Sequence, residues 1–402
     1  MKKPLVTILK LLVFAALIAW VVSNIKWRDQ LVETGANGKV VSQKDGHLLG
    51  PWDQETVTIE IDGVRQEIRT GPNASGGRTS VNPGLTTYFV HLDKLWFAFG
   101  ALGYLISMVV ASTRWWWLLR KNGIDATFGS ALRLTWIGVF FNNVVPGLTG
   151  GDLIKAVYIV RRAHGRRVAA AMSVVVDRIL GLASLALLGA IVVLSDLGRF
   201  GVLAAGIWAV LLGVTFVGVF AFSRRLRRTL GLDALLRRLP PKLSSPLMKV
   251  DAAVFFYRGH KAGILVWLVL GALNHVVTVI SFYCMGEALG IEVPPLEYFV
   301  LVPIALIVSA VTPLAPNGWG IGEALFGTLF GKFASAHLTI PDAEAVMRTR
   351  GIALSVLYRL HTTLWSLVGG VLLLTERDKL SRAELEAARE DVEHPHPSDE
   401  AN

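Results

Sequence analysis

The sequence has little charge and almost no cysteine. Only 17% of its 402 residues are charged, whereas 53% are hydrophobic, which is far too apolar for an ordinary soluble protein of this length. The single cysteine, Cys284, can form no intrachain disulfide and supplies no multi-cysteine metal site. The composition therefore predicts a polytopic membrane protein in which Cys284 is a packing residue.

Motifs for nucleotides, metals and covalent catalysis are also missing. The glycine-rich stretch 71–78 lacks the lysine–serine ending of a phosphate loop, and stretches 147–152 and 317–323 do not fit the dinucleotide pattern. Neither a nucleophile–base–acid set nor a zinc signature is present, so we expect no cofactor and no metal. The net charge of +10 lies mostly between apolar segments, which indicates a membrane topology signal rather than nucleic-acid binding.

Several hydrophobic windows reach the roughly 20 residues that a helix needs to cross a bilayer core. They are 4–24, 93–119, 167–194, 200–222, 262–286 and 346–375. The first window follows two lysines but has no small-residue cleavage site, so we interpret residues 1–24 as a retained transmembrane anchor rather than a signal peptide. Two more windows, 128–160 and 297–336, are interrupted near the middle by proline and glycine.

Basic clusters predict the sidedness of the chain, because short cytoplasmic loops carry an excess of Lys and Arg. They occur at 114–121, 161–167 and 223–242, while the loop 286–298 has acids and no base. This pattern places both termini in the cytoplasm and residues 25–92 outside it, in a cell inner (plasma) membrane.

With that topology, each interrupted window begins and ends on one side of the membrane. Windows 128–160 and 297–336 are then re-entrant hairpins that enter from opposite faces. A span carrying an arginine, Arg178 or Arg359, follows each hairpin. The predicted fold is an all-α polytopic membrane protein with an inverted repeat, the internal symmetry common among transporters. The transmembrane domain is expected to cover residues 93–375.

The polar stretch 25–92 is too long for a simple loop. Residues 55–69 alternate apolar and polar side chains around Asp62-Gly63, a pair typical of a tight hairpin turn. We expect a small β-rich extracytoplasmic domain after the first transmembrane helix, with 71–84 as a mobile loop. The remaining segment, 376–402, has the composition of a charged cytoplasmic tail.

Both interrupted windows combine helix breakers with a carboxylate that opens the second half-helix. Backbone groups that are left unpaired at membrane depth must be shielded by protein or line a wet cavity, and half-helix N-termini suit anionic ligands such as phosphate. The candidate substrate-binding residues are Asn143, Pro146, Gly150, Gly151, Asp152, Lys155, Asp177, Arg178, Pro316, Asn317, Gly318, Gly320, Gly322, Glu323 and Arg359.

Plainer interpretations stay open for several of these residues. Asp152 and Glu323 are also suited to cap their half-helices, and Asp177 and Arg178 to pair with other helices. His361 is either a hydrogen-bonded packing residue or a proton carrier. The tryptophan-rich stretch 114–121 is most simply an interfacial anchor.

Three stretches, "NNVVPGLTGGDLIKA", "VVVDRILGL" and "PNGWGIGEALF", resemble in order and spacing the motifs of the lysylphosphatidylglycerol synthase transmembrane region, a flippase-like family. The similarity covers about residues 93–375. It implies a membrane domain with re-entrant helices that moves or presents phospholipids. Full synthases of this kind also carry a soluble aminoacyl-transferase domain, which we do not find in this chain.

We therefore expect a lipid flippase or transporter that moves a phospholipid or lipid-linked molecule. Membrane lipids are the expected partners, nucleic acid is not, and a homo-oligomer or a partner enzyme stays open. The alternative is a membrane enzyme, or an enzyme subunit, that modifies an aminoacyl or glycosyl carrier lipid, with Asp152 and Asp177 as its acid–base pair. A small-solute or ion transporter on the same scaffold is the third interpretation.

Overall fold

A computed structural model describes residues 19–37, 39–52, 54–74, 76–144, 150–163, 166–222, 257–311, 319–340 and 342–375. The chain divides into two compact units. The described residues within 1–103 and 279–361 form the first unit, and those within 104–278 and 362–402 form the second. Of the predicted N-terminal anchor, only residues 19–24 are described, and they are helical. The predicted tail 376–402 lies outside the described residues.

A six-stranded antiparallel sheet lies near the N-terminus, in the first unit. Its strands follow one another in space in the order β4-β3-β2-β1-β6-β5. They are β1 (Asp29–Thr34), β2 (Val40–Leu48), β3 (Thr56–Ile61), β4 (Val64–Arg69), β5 (Gly71–Pro72) and β6 (Arg78–Asn82). The predicted hairpin around Asp62-Gly63 is β3–β4, and both turn residues have positive φ, 51° and 78°, as a type I′ turn requires.

The prediction of a mobile loop over 71–84 is wrong. Residues 78–82 form strand β6, which pairs with the central strand β1 between Val81 and Leu31 and at three neighbouring positions. Val81 of β6 packs against a small buried core of the sheet that is formed by Leu31, Ile59 and Ile61. Because four of the five residues of β6 are polar and glycines precede it, its composition resembles a loop, and only the pairing with β1 makes it a strand.

One buried carboxylate ties the sheet to the helix that follows it. Asp29 is 2% exposed and accepts hydrogen bonds from the backbone N–H groups of Leu48 (2.7 Å) and Gly84 (2.7 Å). It also accepts one from the hydroxyl of Thr87 (2.6 Å), on helix α1 (Leu85–Val90). The charge is thus compensated by converging donors, the arrangement that a buried carboxylate needs.

The rest of the described chain is mostly helical. The helices are α2 (Lys94–Lys121), α3 (Phe128–Val144), α4 (Gly150–Arg162), α5 (Arg167–Val192), α6 (Leu197–Phe222), α7 (Lys261–Ala288), α8 (Pro295–Val311), α9 (Ile321–Leu329) and α10 (Ala343–Leu374). In the described residues, four helical stretches are long and apolar enough to cross a membrane: Lys94–Lys121, Arg167–Gly213, Lys261–Ala288 and Ala343–Leu374.

The first interrupted window forms an antiparallel helix pair, α3 and α4, in the second unit. Asn142 of α3 accepts a hydrogen bond from the Gly151 N–H of α4 (2.8 Å), whereas Ser130, far back along α3, accepts one from Arg162 at the end of α4 (3.0 Å). Gly151 allows this approach, because a Cβ there would overlap the carbonyl oxygen of Gly138. The predicted break residue Pro146 lies outside the described residues.

The second interrupted window forms the corresponding pair, α8 and α9, in the first unit. The Tyr298 ring near the start of α8 packs 5.5 Å from the ring of Phe330, just after α9. The Glu297 carboxylate binds the Nε2 atom of His337, further along the chain, at 2.8 Å. These contacts make the two segments antiparallel. The predicted residues Pro316, Asn317 and Gly318 lie outside the described residues.

Candidate functional site

A network of charged side chains lies at the start of α4 in the second unit. Asp152, in the first turn of α4, pairs with the guanidinium of Arg178 on α5. Next to Arg178 in the chain, Asp177 binds the Nε of Arg114 at 2.7 Å and the Nζ of Lys155 at 3.8 Å. The structure thus brings together four residues that the sequence predicted for this site, Asp152, Lys155, Asp177 and Arg178.

The members of this charged network differ in exposure. The side chains of Arg114, Lys155 and Asp177 are 10%, 8% and 13% exposed, while that of Arg178 is 55% exposed. Lys155 also lies 4.1 Å from the ring centroid of Trp115, where a cation is stabilised by the face of the ring. Of the three cations in the network, Arg178 is therefore the one whose side chain is widely exposed.

Arg114 is the residue that the sequence did not reveal. The stretch 114–121 predicts an interfacial anchor, and for Arg114 and Trp115 that prediction is wrong. Trp115 is fully buried in the core of the second unit, and its indole N–H donates to the hydroxyl of Ser173 (3.1 Å). The sequence does contain one indication of this role: Arg114 lies within an apolar helix, and an arginine at membrane depth needs a partner.

Two other predicted residues of the first window have roles in packing. Asn143 donates to the carbonyl of Val139 (2.9 Å) and accepts from the hydroxyl of Thr363 (3.3 Å). Gly150 begins helix α4.

A second carboxylate–arginine pair lies in the first unit, at the start of α9. Glu323 accepts a hydrogen bond from the backbone N–H of Gly320 (2.6 Å), whose φ is +82°, and thereby caps the helix as the sequence suggested. Its other oxygen binds Arg359 Nε at 2.6 Å and accepts from the hydroxyl of Ser355 at 3.3 Å. Glu323 is both a cap and an ion-pair partner.

This second pair is almost completely buried. The side chains of Arg359 and Glu323 are 12% and 3% exposed, and the guanidinium lies 5.5 Å from the Trp319 ring centroid. A Cβ on Gly322 would overlap the guanidinium, so glycine at this position leaves the space that Arg359 fills. His361 is also buried and contacts the Tyr358 ring edge-to-face at 4.8 Å, which agrees with the packing interpretation of that residue.

The two pairs differ in their charge balance. The pair in the first unit is one carboxylate with one arginine, whereas the network in the second unit contains three cations and two carboxylates. In the described part of the chain, no three His, Cys, Asp or Glu side chains come together as a possible metal site. The network in the second unit thus has one more basic than acidic side chain.

Comparison with known proteins gives the family of this chain. Residues 85–369 match the family described as lysylphosphatidylglycerol synthase TM region. A UPF0104 membrane protein from Pyrococcus horikoshii is 25% identical over 302 residues, which are 69% of this chain and 86% of that relative. No solved structure matches the chain. The chain is a multi-pass membrane protein and belongs to the lysylphosphatidylglycerol synthase transmembrane family.

Proposed function

We propose that the chain is a flippase or transporter that moves a phospholipid or lipid-linked molecule across the inner (plasma) membrane. The network of Arg114, Lys155, Asp177, Arg178 and Asp152 is the proposed site for the phosphate of the headgroup. The observation that carries this proposal is the excess of one cation in a largely buried network. The family of the chain agrees with a lipid-related function in the membrane.

The charge excess favours an anionic ligand. A net charge that is held out of water is costly unless it is compensated, and a phosphodiester supplies one negative charge. Arg114 and Lys155 already share Asp177. The pair of Arg178 and Asp152 is the part of the network with the most exposed cation.

Arg178 is the proposed group that exchanges a protein partner for a lipid. Its planar guanidinium matches a phosphate with two parallel hydrogen bonds, as it matches a carboxylate. A phosphate that approaches from the exposed side of Arg178 would replace Asp152 as its partner. Asp152 then returns to the helix N-terminus, where a carboxylate is stabilised.

The enzyme alternative gains no support from the geometry. An acid–base mechanism with Asp152 and Asp177 requires that the two carboxylates share a substrate. Instead, Asp152 pairs with Arg178, and Asp177 pairs with Arg114 and Lys155.

The proposed architecture is the inverted repeat with two re-entrant hairpins. Support comes from the matched pairs: in each hairpin the second helix opens with a carboxylate, Asp152 or Glu323, which pairs with an arginine of the next long helix, Arg178 or Arg359. Both termini are proposed to be cytoplasmic. The proposed domains are an anchor (1–24), an extracytoplasmic β-domain (25–92), a transmembrane domain (93–375) and a tail (376–402).

Cysteine labelling in cells tests this orientation. Cys284 is the single cysteine and is buried, so Cys284→Ser provides a background for Lys44→Cys on the exposed side of β2. A maleimide that cannot cross the inner membrane should label Lys44→Cys in cells whose outer membrane is permeabilised and whose inner membrane is intact. Labelling only after the inner membrane is lysed would contradict the orientation.

Translocation in liposomes tests the function. Purified protein is reconstituted with a fluorescent phospholipid, and the lipid that reaches the outer leaflet is bleached with an impermeant reductant. Wild-type protein should accelerate bleaching, and Arg178→Gln and Asp152→Asn should reduce the rate.

Arg120→Gln is the matched control for Arg178→Gln, because Arg120 is 54% exposed and pairs with an acid, Asp125, that is 99% exposed. It should keep the wild-type rate. Covalent change of the lipid without movement would support the enzyme alternative, and unchanged rates in Arg178→Gln and Asp152→Asn would refute the assigned site.

A further inference from the structure

A buried arginine of the first unit lies outside the pair of Glu323 and Arg359. Arg350, in the second turn of α10, is 6% exposed, and its Nε donates to the hydroxyl of Tyr88 at 3.0 Å. The guanidinium carbon is 5.9 Å from the centroid of the Tyr88 ring. In the described part of the chain no carboxylate forms an ion pair with this guanidinium: its direct partner is a neutral phenol, and Glu292 acts on it only at longer range.

Two buried hydrogen-bond donors of this unit lack acceptors in the part of the chain that the structure describes. Among the described residues, neither Arg350 Nη1 nor the buried hydroxyl of Tyr298 has a hydrogen-bond partner. Tyr298 is fully buried, and both it and Glu292 are within electrostatic range of Arg350. The Tyr88 hydroxyl already accepts from Arg350, so its own proton is available to donate.

We propose that Arg350, Tyr88 and Tyr298 bind a small inorganic anion of the halide class, with chloride as the common occupant. A guanidinium N–H and two phenol hydroxyls would supply the donors, and the anion would compensate the buried charge. The arginine and the two tyrosines are 6%, 0% and 0% exposed, which leaves no open face for a headgroup attached to acyl chains. The site is therefore separate from the lipid site proposed at Arg178.

The surroundings make this a rigid site. Trp52 packs edge-to-face against Tyr88 with ring centroids 5.3 Å apart, and Tyr283 packs against Tyr298 at 5.4 Å. Tyr88 belongs to the helix that follows the β-sheet, while Arg350 belongs to a long apolar helix. A bound anion would thus link the β-sheet segment to the helices of the same unit and stabilise the folded state by an amount that grows with the logarithm of the anion concentration.

Thermal unfolding of the full-length protein in detergent tests the proposal. Tryptophan fluorescence is followed in sodium chloride and in sodium gluconate at equal ionic strength. Wild-type Tm should rise with the logarithm of chloride concentration, and bromide should act in the same way as chloride. Arg350→Gln should abolish the chloride-dependent part of the shift.

Arg348→Gln is the matched control, since Arg348 lies on the same helix but pairs with Glu344 and Asn24. It should keep the full chloride dependence. Tyr298→Phe removes one donor while it keeps the ring, and it should move the half-maximal chloride concentration upward; this variant also serves if Arg350→Gln does not fold. An equal Tm of wild-type protein in chloride and gluconate would overturn the proposal. So would a chloride response that is unchanged in both single variants, Tyr298→Phe and Arg350→Gln.

Discussion

The two carboxylate–arginine pairs come from similar sequence and differ in environment. Glu323 and Arg359 are 3% and 12% exposed, and the carboxylate also caps a helix. Asp152 and Arg178 are 19% and 55% exposed, and they join a network with an additional cation. A buried and balanced pair is suited to hold structure, whereas an accessible pair in a network with excess positive charge is suited to exchange partners.

Removal of one charged side chain should cost different amounts of stability in the two pairs. Removal of one member of a buried pair leaves the other charge unpaired, which costs about 3–5 kcal/mol. An exposed pair contributes about 0–1 kcal/mol to stability. Variants of the Glu323 pair should therefore lose stability first, and variants of the Arg178 pair should lose ligand binding first.

Glu323→Gln should have the largest effect on stability. Arg359 would lose its charged partner in a buried position, and the free energy of unfolding should fall by about 3–5 kcal/mol. The measurement is the unfolding midpoint in detergent. Glu344→Gln is the control, because Glu344 is 63% exposed and pairs with Arg348 one helical turn away, a kind of pair worth about 0.5 kcal/mol or less. Equal losses in the two variants would contradict the structural role of Glu323.

Gly322→Ala should have the next largest effect. The new methyl group would displace Arg359 from Glu323, and overpacking of this kind costs about 1–3 kcal/mol. Gly201→Ala in α6 is the matched control, because nothing lies within 4 Å of the added methyl group and alanine favours a helix by about 1 kcal/mol over glycine. The unfolding midpoint should fall in the first variant and not in the second; a fall of the same size in both would break the account.

Lys155→Met tests the charge excess in the second unit. Methionine keeps a long apolar chain beside Trp115, while the network is left with two cations and two carboxylates. Lipid translocation should decrease about tenfold, which corresponds to about 1.4 kcal/mol. The loss of stability should be smaller than in Glu323→Gln, because Asp177 keeps Arg114 as its partner. A rate at the wild-type level would show that the excess charge is not needed for transport.

Local features of the fold could be predicted from the sequence, but contacts between distant residues could not. Five of the predicted apolar windows coincide with helices, which contain the four membrane-length stretches of the described residues, and the hairpin at Asp62-Gly63 is present. These features could be predicted because apolar length and turn chemistry are local properties. The identity of ion-pair partners could not, since Arg114 and Asp177 are 63 positions apart and only packing brings them together. For the same reason the sequence of the tryptophan-rich stretch 114–121 predicts an interfacial anchor, although Trp115 is in the core.

The alternatives left open by the sequence are resolved unevenly. Glu323 caps its helix and also pairs with Arg359, so capping and pairing are not exclusive for that residue. Asp177 and Arg178 pair with other helices, through Arg114 and Asp152. Contact with substrate stays a prediction, because the same side-chain types serve both purposes and only the exposure of Arg178 distinguishes them.

Arg178→Gln should have the smallest effect on stability, below about 1 kcal/mol, because Arg178 is half exposed. Its effect on binding should be large, and this contrast is the most direct test of the account. The measurement is the affinity of the purified full-length protein for a short-chain anionic phospholipid, together with the unfolding midpoint of the same sample. Affinity should be at least about tenfold weaker, since a charge-assisted hydrogen bond contributes about 1.5–3 kcal/mol, with an unfolding midpoint near that of wild type. Unchanged affinity in a folded Arg178→Gln protein would contradict the proposed role of Arg178.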